Sequence, residues 1–268
     1  MVQLAVFGAT GRMGQSLLRL ITQANDLQLA GALTEAGDSA LGQDACEAAG
    51  LPACGILLTD DPGQALSGAN VAIDFTLPAA ASANAAACTV ARVPLVMGTT
   101  GLDGAGEVAL QSASTQIAVL YGRNMSLGVT LLTELVRLAS GALGEEYDIE
   151  ILEAHHRHKV DAPSGTALQL GEAAAAGRQR PMDEVAVYAR HGQTGPRERG
   201  TIGFASLRGG SLAGDHSVLL AADEEVIQLS HHAVNRDVFA RGALQAARWL
   251  AGQGPGLYGM REVLGLSD

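Results

Sequence analysis

The hydrophobic residues of this chain fall into two rhythms. From residue 2 to about residue 120, continuous apolar runs at 2–7, 27–33, 55–58, 71–75, 94–97 and 117–120 alternate with alanine- and leucine-rich stretches near 13–23, 79–91 and 104–114. Continuous apolar strands separated by helices predict a parallel sheet covered on both faces. The loops after the runs are rich in Gly, Thr or Pro, and such sheets bind ligands at the carboxyl ends of their strands. After a helical stretch at 126–142 the texture changes. Runs at 147–154, 184–190, 201–207, 215–221 and 225–231 follow one another, and between them only 165–176 has helical character. Strands without crossover helices predict an α+β second domain with a mixed or antiparallel sheet. A final helical stretch at 236–251 carries the only tryptophan, Trp249, and is expected to return to the first domain. The polar segment 192–200, with Pro196, reads as an exposed loop.

Composition narrows the function. With 268 residues, 47% of them hydrophobic, the chain can fill two cores. A net charge of −11, from 17 basic and 28 acidic residues, repels phosphate backbones and anionic lipid, so no nucleic acid and no membrane is expected as a partner. The opening MVQLAVFGATGRMG lacks a basic leader, and its apolar run reads as a first strand. Cys46, Cys54 and Cys88 form no CxxC pair and make an odd number, so neither a disulfide framework nor a cysteine zinc site is indicated, and a reducing cytoplasm fits. Of the 17 basic residues, 16 are arginine, which leaves Lys159 as the only lysine. Arginine cannot give up its proton, and lysine can. Lys159 is therefore a candidate proton donor.

Gly8-Ala9-Thr10-Gly11-Arg12-Met13-Gly14 directly follows the first run and opens the first helix. Glycines there allow a tight turn and close backbone approach, and free amides at the helix start face a pyrophosphate. Strand, turn and helix in this order point to a Rossmann-like dinucleotide site. Glu35 follows the second run, 21 residues beyond Gly14, where an acid would take ribose hydroxyls and favour NAD; a solvated loop carboxylate is the other reading. Arg12, near the same end, would attract a 2′-phosphate instead. Asp74-Phe75-Thr76-Leu77-Pro78 and Gly98-Thr99-Thr100-Gly101 end the fourth and fifth runs and suit the nicotinamide half, or are simple turns with helix caps.

The densest chemistry lies at residues 153–166, EAHHRHKVDAPSGT, where three of seven histidines meet the only lysine. A solvated charge run explains this grouping poorly. No metal is expected, because companion carboxylates at ligand spacing are missing and Arg157 and Lys159 would repel a cation. Proton chemistry on an anionic substrate fits better. Gly165 and Thr166 precede a strongly helix-forming run, so their amides would sit at a helix start able to bind a carboxylate.

The segment EAHHRHKVDAPSGTAL, with GxxGRMG, DFTxP, GTTG, IGFASLRGG at 202–210 and GLYGMREVL at 256–264, closely resembles the dihydrodipicolinate reductase family of the diaminopimelate and lysine pathway. The resemblance runs from end to end. It implies NADH- or NADPH-dependent reduction of a cyclic imine dicarboxylate, with His155 and Lys159 as the proton-transferring pair. Gly8, Ala9, Thr10, Gly11, Arg12 and Met13 would hold the pyrophosphate. Gly98, Thr99 and Thr100, together with Gly122, Arg123, Asn124 and Met125, would flank the nicotinamide. His156, Gly165 and Thr166 would bind the substrate's carboxylates. The resemblance further implies a cytoplasmic homotetramer, with 1–126 and 236–268 as the cofactor domain and 127–235 as the α+β substrate-binding and oligomerisation domain. Two positions depart from the family's pattern. Thr34-Glu35 replaces the usual acidic-basic pair after the second strand, and Tyr121-Gly122-Arg123 replaces a small apolar segment before Asn124. NADH is the expected, weakly preferred, cofactor.

Overall fold

The computed structural model describes residues 1–266, which divide into two compact units. One comprises Met1–Ser126 and the segment from Asp237 onward; the other is Leu127–Arg236.

In chain order the first unit contains β1 (Val2–Phe7), α1 (Arg12–Thr22), β2 (Leu27–Leu33), α2 (Ala45–Ala48), β3 (Leu58–Thr59), α3 (Pro62–Leu66), β4 (Val71–Asp74), α4 (Ala81–Ala91), β5 (Leu95–Met97), α5 (Gly104–Ser114) and β6 (Ala118–Tyr121). The second contains α6 (Leu127–Leu143), β7 (Asp148–His155), α7 (Gly165–Gly177), α8 (Met182–Val185), β8 (Ala186–Val187), β9 (Ile202–Arg208), β10 (Asp215–Ala221) and β11 (Val226–His232). The chain then adds α9 (Asp237–Leu250), β12 (Gly256–Tyr258) and α10 (Met260–Val263) to the first unit.

The first unit is a seven-stranded, all-parallel sheet in the order β12-β6-β5-β4-β1-β2-β3. It is a doubly wound, Rossmann-like sheet whose order reverses between β1 and β4. Phe7, Leu33, Leu95, Met97, Leu110 and Val119 lie in one buried cluster on it. Each such side chain contributes roughly 1.5–3 kcal/mol by leaving water. Helix α9 closes on this unit at Gly242, where an added Cβ would stand 1.7 Å from the Met125 carbonyl oxygen. Only glycine permits that approach. Arg19 to Asp237 (2.7 Å) and Arg248 to Asp26 (2.6 Å) fasten the same helix at its two ends.

The second unit carries a five-stranded mixed sheet in the order β11-β10-β7-β9-β8. Strands β11, β10 and β7 pair antiparallel, whereas β9 runs parallel to both β7 and β8. Ile149, Ile151, Leu170, Phe204, Val218 and Leu220 form its core. The helical stretch Leu127–Glu146, α6 with the turn that continues it, is long and apolar enough, by length and composition alone, to cross a membrane. In this unit it crosses α7 closely: a Cβ on Gly177 would meet the Arg137 carbonyl oxygen at 2.3 Å, and the Ser140 hydroxyl donates to the Ala174 carbonyl at 2.7 Å.

Three local expectations change. Residues 184–190 do not form one strand, because Pro181 followed by Asp183 and Glu184 starts the short helix α8 and leaves only β8 extended. The run at 55–58 yields only β3, since the Asp44 carboxylate accepts from the Cys54 and Gly55 amides and Gly55 adopts φ +78°. Strand β12 was not anticipated; three residues are too few to display a period.

Candidate active site

The glycine loop has the predicted geometry. Gly8, at φ +76°, and Ala9 donate their amides to the Leu33 carbonyl at 3.0 and 2.9 Å, which ties the loop to the end of β2. A Cβ on Gly14 would stand 2.2 Å from the Gly8 carbonyl oxygen, so the first turn of α1 lies directly against the loop. Gly11 caps α1, no side chain among the described residues caps it, and its first turn contains no acid. The leading amides of α1, at Arg12 and Met13, thus face outward at the positive end of a helix. Bare backbone and an uncapped helix start fit a dinucleotide pyrophosphate.

At the ribose end, Glu35 is exposed. The carboxylate that touches the loop is Asp38, which sequence reasoning missed. Asp38 accepts from the Thr10 and Thr34 hydroxyls at 2.8 and 2.6 Å and from the Ala40 amide at 2.9 Å. Those donors, Thr34 first, hold its carboxyl below the ordinary range.

The loops after β4 and β5 are organised by a second acid. Asp74, fully buried at the end of β4, accepts from the Thr76 amide and hydroxyl at 2.7 Å each, from the Asn84 amide at 2.7 Å and from the Thr99 hydroxyl at 3.1 Å. Burial pushes its carboxyl up against those donors. One side chain therefore joins the loops after β4 and β5. A Cβ on Gly98 would meet the Phe75 ring at 2.4 Å, so the cradle is set by the absence of a side chain. Thr100 and Arg123 are exposed, Met125 is buried, and half-buried Asn124 accepts the Ser126 amide at 2.8 Å.

In the second unit, β7 alternates strictly between partly exposed and buried residues. Ile149, Ile151, Glu153 and His155 share its inner face, so an apolar row ends in two ionisable groups. His155 Nδ1 lies 2.6 Å from Glu153 Oε2. Arg208, which pairs with His155 in register, grips both oxygens of Glu153 at 2.8 Å each, and the Ser164 amide adds 3.2 Å. Burial raises the Glu153 carboxyl, but the Arg208 fork and its neighbours win and bring it down to about 2. A carboxylate that stays ionised fixes the Nδ1–H tautomer of His155 and leaves Nε2 as the working nitrogen. Gly214 makes room there: its added Cβ would stand 3.1 Å from His155 Nε2.

His216 meets the His155 ring edge-on at 5.1 Å, and its Nε2 lies 3.0 Å from the Ser164 hydroxyl. Burial and the neighbouring His155 lower it to about 4, which keeps it neutral. Lys159 pairs with Asp161 at 2.9 Å. His156 is pushed down by burial and by its basic neighbours Arg236, His155, His158 and Lys159. Its Nδ1 is shielded from solvent without a hydrogen-bond partner among the described residues, a donor or acceptor still seeking a polar ligand. Gly165 and Thr166 form the first turn of α7, capped by the Ser164 hydroxyl, and space around Gly165 is open.

The sequence singled out His155 as a candidate but not the groups that hold its ring. Glu153 and Arg208 stood in quoted motifs, and the period-two spacing of Glu153 and His155 was the available signal.

A parallel sheet with a glycine cradle, and a second unit presenting an oriented histidine, define an oxidoreductase of the dinucleotide-binding class. Comparison with known proteins makes the assignment narrower. The sequence profile of the dihydrodipicolinate reductase N-terminus matches residues 2–125 and that of its C-terminus matches residues 128–264. The 4-hydroxy-tetrahydrodipicolinate reductase of Brucella melitensis is 52% identical over 265 residues, covering 98% of this chain and 99% of the relative. That of Thiobacillus denitrificans is 49% identical, covering 99% of each. A solved dipicolinate-bound dihydrodipicolinate reductase from Paenisporosarcina sp. TG-14 shares the fold with TM-score 0.76 at 22% identity, covering 98% of both chains. The chain belongs to the dihydrodipicolinate reductase family.

Proposed function

We propose that this chain converts 4-hydroxy-tetrahydrodipicolinate to tetrahydrodipicolinate in the diaminopimelate route to lysine. Overall, the substrate loses water and gains a hydride and a proton. A reduced nicotinamide dinucleotide, when bound, supplies the hydride. Residues 8–13 hold its pyrophosphate through backbone amides, and 98–100 with 122–125 flank its ring. His156 and the amides of Gly165 and Thr166 take the substrate's carboxylates. His155 delivers the proton from Nε2, with Lys159 as its partner in proton transfer. Ionised Glu153 stabilises the imidazolium before the proton leaves, and Arg208 keeps Glu153 ionised.

The observation that carries this reading is the Arg208–Glu153–His155 chain at the end of β7, with Glu153 and His155 buried, next to the start of α7. An oriented proton donor with no hydride transfer to accompany would have no evident use. The coupled experiment supplies the product of dihydrodipicolinate synthase and follows nicotinamide oxidation. Rapid oxidation by the chain is the expected result, and none at any substrate concentration refutes the reading.

Glu35 and Asp38 both place negative charge after β2, which disfavours a 2′-phosphate. NADH is therefore used at least as well as NADPH, and a tenfold or greater NADPH preference in kcat/KM contradicts this. Residues 1–126 and 236–268 serve the cofactor, and 127–235 serve substrate and assembly. Edge strand β11, which exposes Val226, offers an edge for association through the second sheet; a homotetramer in the cytoplasm completes the reading and rests on the family resemblance.

A further inference from the structure

Two of the three cysteines meet in a region that the reductase chemistry does not use. Cys46 lies in α2, and the chain returns past it so that Asp44 and Leu57 pair as an antiparallel bridge, bringing exposed Cys54 beside buried Cys46. The two sulfurs and the Asp44 carboxylate lie within 4.8 Å of one another. Asp44 is the organiser. Its Oδ1 accepts from the Cys46 amide at 2.9 Å, the Glu47 amide at 3.1 Å and the Cys54 thiol at 3.5 Å, and its Oδ2 accepts from the Cys54 and Gly55 amides at 3.1 and 2.7 Å. A carboxylate engaged by so many donors is not free to bind a cation. Two sulfurs alone fall short of the four ligands a structural zinc requires.

The geometry points instead to a redox pair: we propose that hydroperoxides oxidise Cys54 and that Cys46 resolves it to an intramolecular Cys46–Cys54 disulfide. In the first step the Cys54 thiolate attacks a peroxide oxygen. The O–O bond breaks, the leaving hydroxide, or alkoxide from an organic hydroperoxide, takes up the proton that the Cys54 thiol has released, and Cys54 becomes a sulfenic acid. In the second step Cys46 sulfur attacks Cys54 sulfur; the S–O bond breaks, the Cys46 proton joins the departing hydroxide, and water is released. The cysteines lose two electrons and peroxide gains them. The order follows from access. Cys54 is the sulfur that a dissolved oxidant reaches, while burial, the Cys54 thiol and the Asp44 carboxylate push the Cys46 thiol up, so Cys46 keeps its proton until its partner is oxidised. Closing the bond requires the sulfurs to come to about 2 Å. The return segment has room for that: Gly50 and Gly55 adopt φ +73° and +78°, with open space around each. Cys88 is fully buried in the first unit's core and takes no part.

The pair adjoins a cavity of about 160 Å³ whose walls include Thr10, Asp38, Ala45 and Ala48. The disulfide would staple the α2 wall of that cavity. Its effect on cofactor affinity rests on the reading of Thr10 and Asp38 given under the proposed function; the disulfide itself does not.

The test treats the full chain with stoichiometric hydrogen peroxide. The expected product is monomerically linked, about 2 Da lighter, and has lost two of its three thiols. Cleavage after Glu47, between the cysteines, leaves the fragments joined until a reductant is added. Cys46→Ser accumulates a dimedone-reactive sulfenic acid on Cys54, and Cys54→Ser leaves Cys46 unreacted. Persistence of all three thiols, a link through Cys88 or between chains, or one equivalent of zinc(II) retained by wild type and lost in Cys46→Ser would each overturn the proposal. In a second readout, oxidation raises the cofactor KM severalfold at constant kcat and dithiothreitol reverses it. An unchanged KM in a fully oxidised chain overturns the link to the cavity.

Discussion

The two units build their sites from opposite materials. The first works by omission: Gly8, Gly14 and Gly98 stand where a Cβ would crowd neighbouring atoms, and the start of α1 carries no side-chain cap. Its buried acid, Asp74, faces inward and joins loops. The second works by concentrating ionisable side chains, with Glu153, His155, His216 and Arg208 interlocked at the ends of β7, β9 and β10. Binding a cofactor demands shape and dipoles, which backbone supplies. Moving a proton demands a titratable group held in one tautomer, which only side chains supply. Substitutions in the two units should therefore fail differently.

The largest loss falls on the second unit. Lys159→Arg keeps the charge paired with Asp161 but offers no transferable proton, so kcat should drop roughly 10²-fold or more, nearly as far as in Lys159→Ala. Recovery of most activity by arginine would make Lys159 an electrostatic anchor.

Glu153→Gln comes next. It leaves the Arg208 guanidinium without its carboxylate, at a cost of roughly 3–5 kcal/mol seen as a lower denaturation midpoint. It also lowers kcat about tenfold through the loosened His155. A depressed carboxyl contributes stability above its unfolded value and loses it as pH falls towards its folded value. Wild type should therefore weaken between about pH 4.5 and 2 by a slope that Glu153→Gln lacks.

Gly98→Ala sharpens the contrast from the other side. Its Cβ meets Phe75 at 2.4 Å, so cofactor KM should rise on the order of tenfold, equivalent to about 1.4 kcal/mol, while kcat at saturation stays within about twofold. A kcat collapse would mean that the cradle also serves the chemistry.

The smallest effect is His216→Asn. Because folding lowers this histidine from 6.5 to about 4, the unfolded chain binds the extra proton, and wild-type stability declines as pH falls through that window. The variant should lose that decline in acid denaturation curves.

The fold was legible where residues repeat a period. Five of the six continuous runs became strands of the first sheet, with only the end of 55–58 joining it, and most of the runs after residue 145 became a mixed sheet. Legibility failed where local hydrogen bonding overrode pattern, as at Asp44, or where an element was too short, as in β12. Within the site, the clustered histidines and the solitary Lys159 stood out by composition. Arg208 and His216 did not, because strand register across more than 50 residues brings them to Glu153 and Ser164. Asp38 was hidden by a loop whose path no spacing rule fixes.

The central claim is that proton delivery and cofactor binding reside in separate groups, and His155→Ala tests it most directly. Cofactor dissociation constant, by NADH fluorescence, and kcat should be measured on the same preparation. The account predicts a dissociation constant within about twofold of wild type and a kcat lower by roughly 10²–10⁴-fold. Near wild-type kcat, or a loss of cofactor binding that matches the loss of turnover, would contradict it.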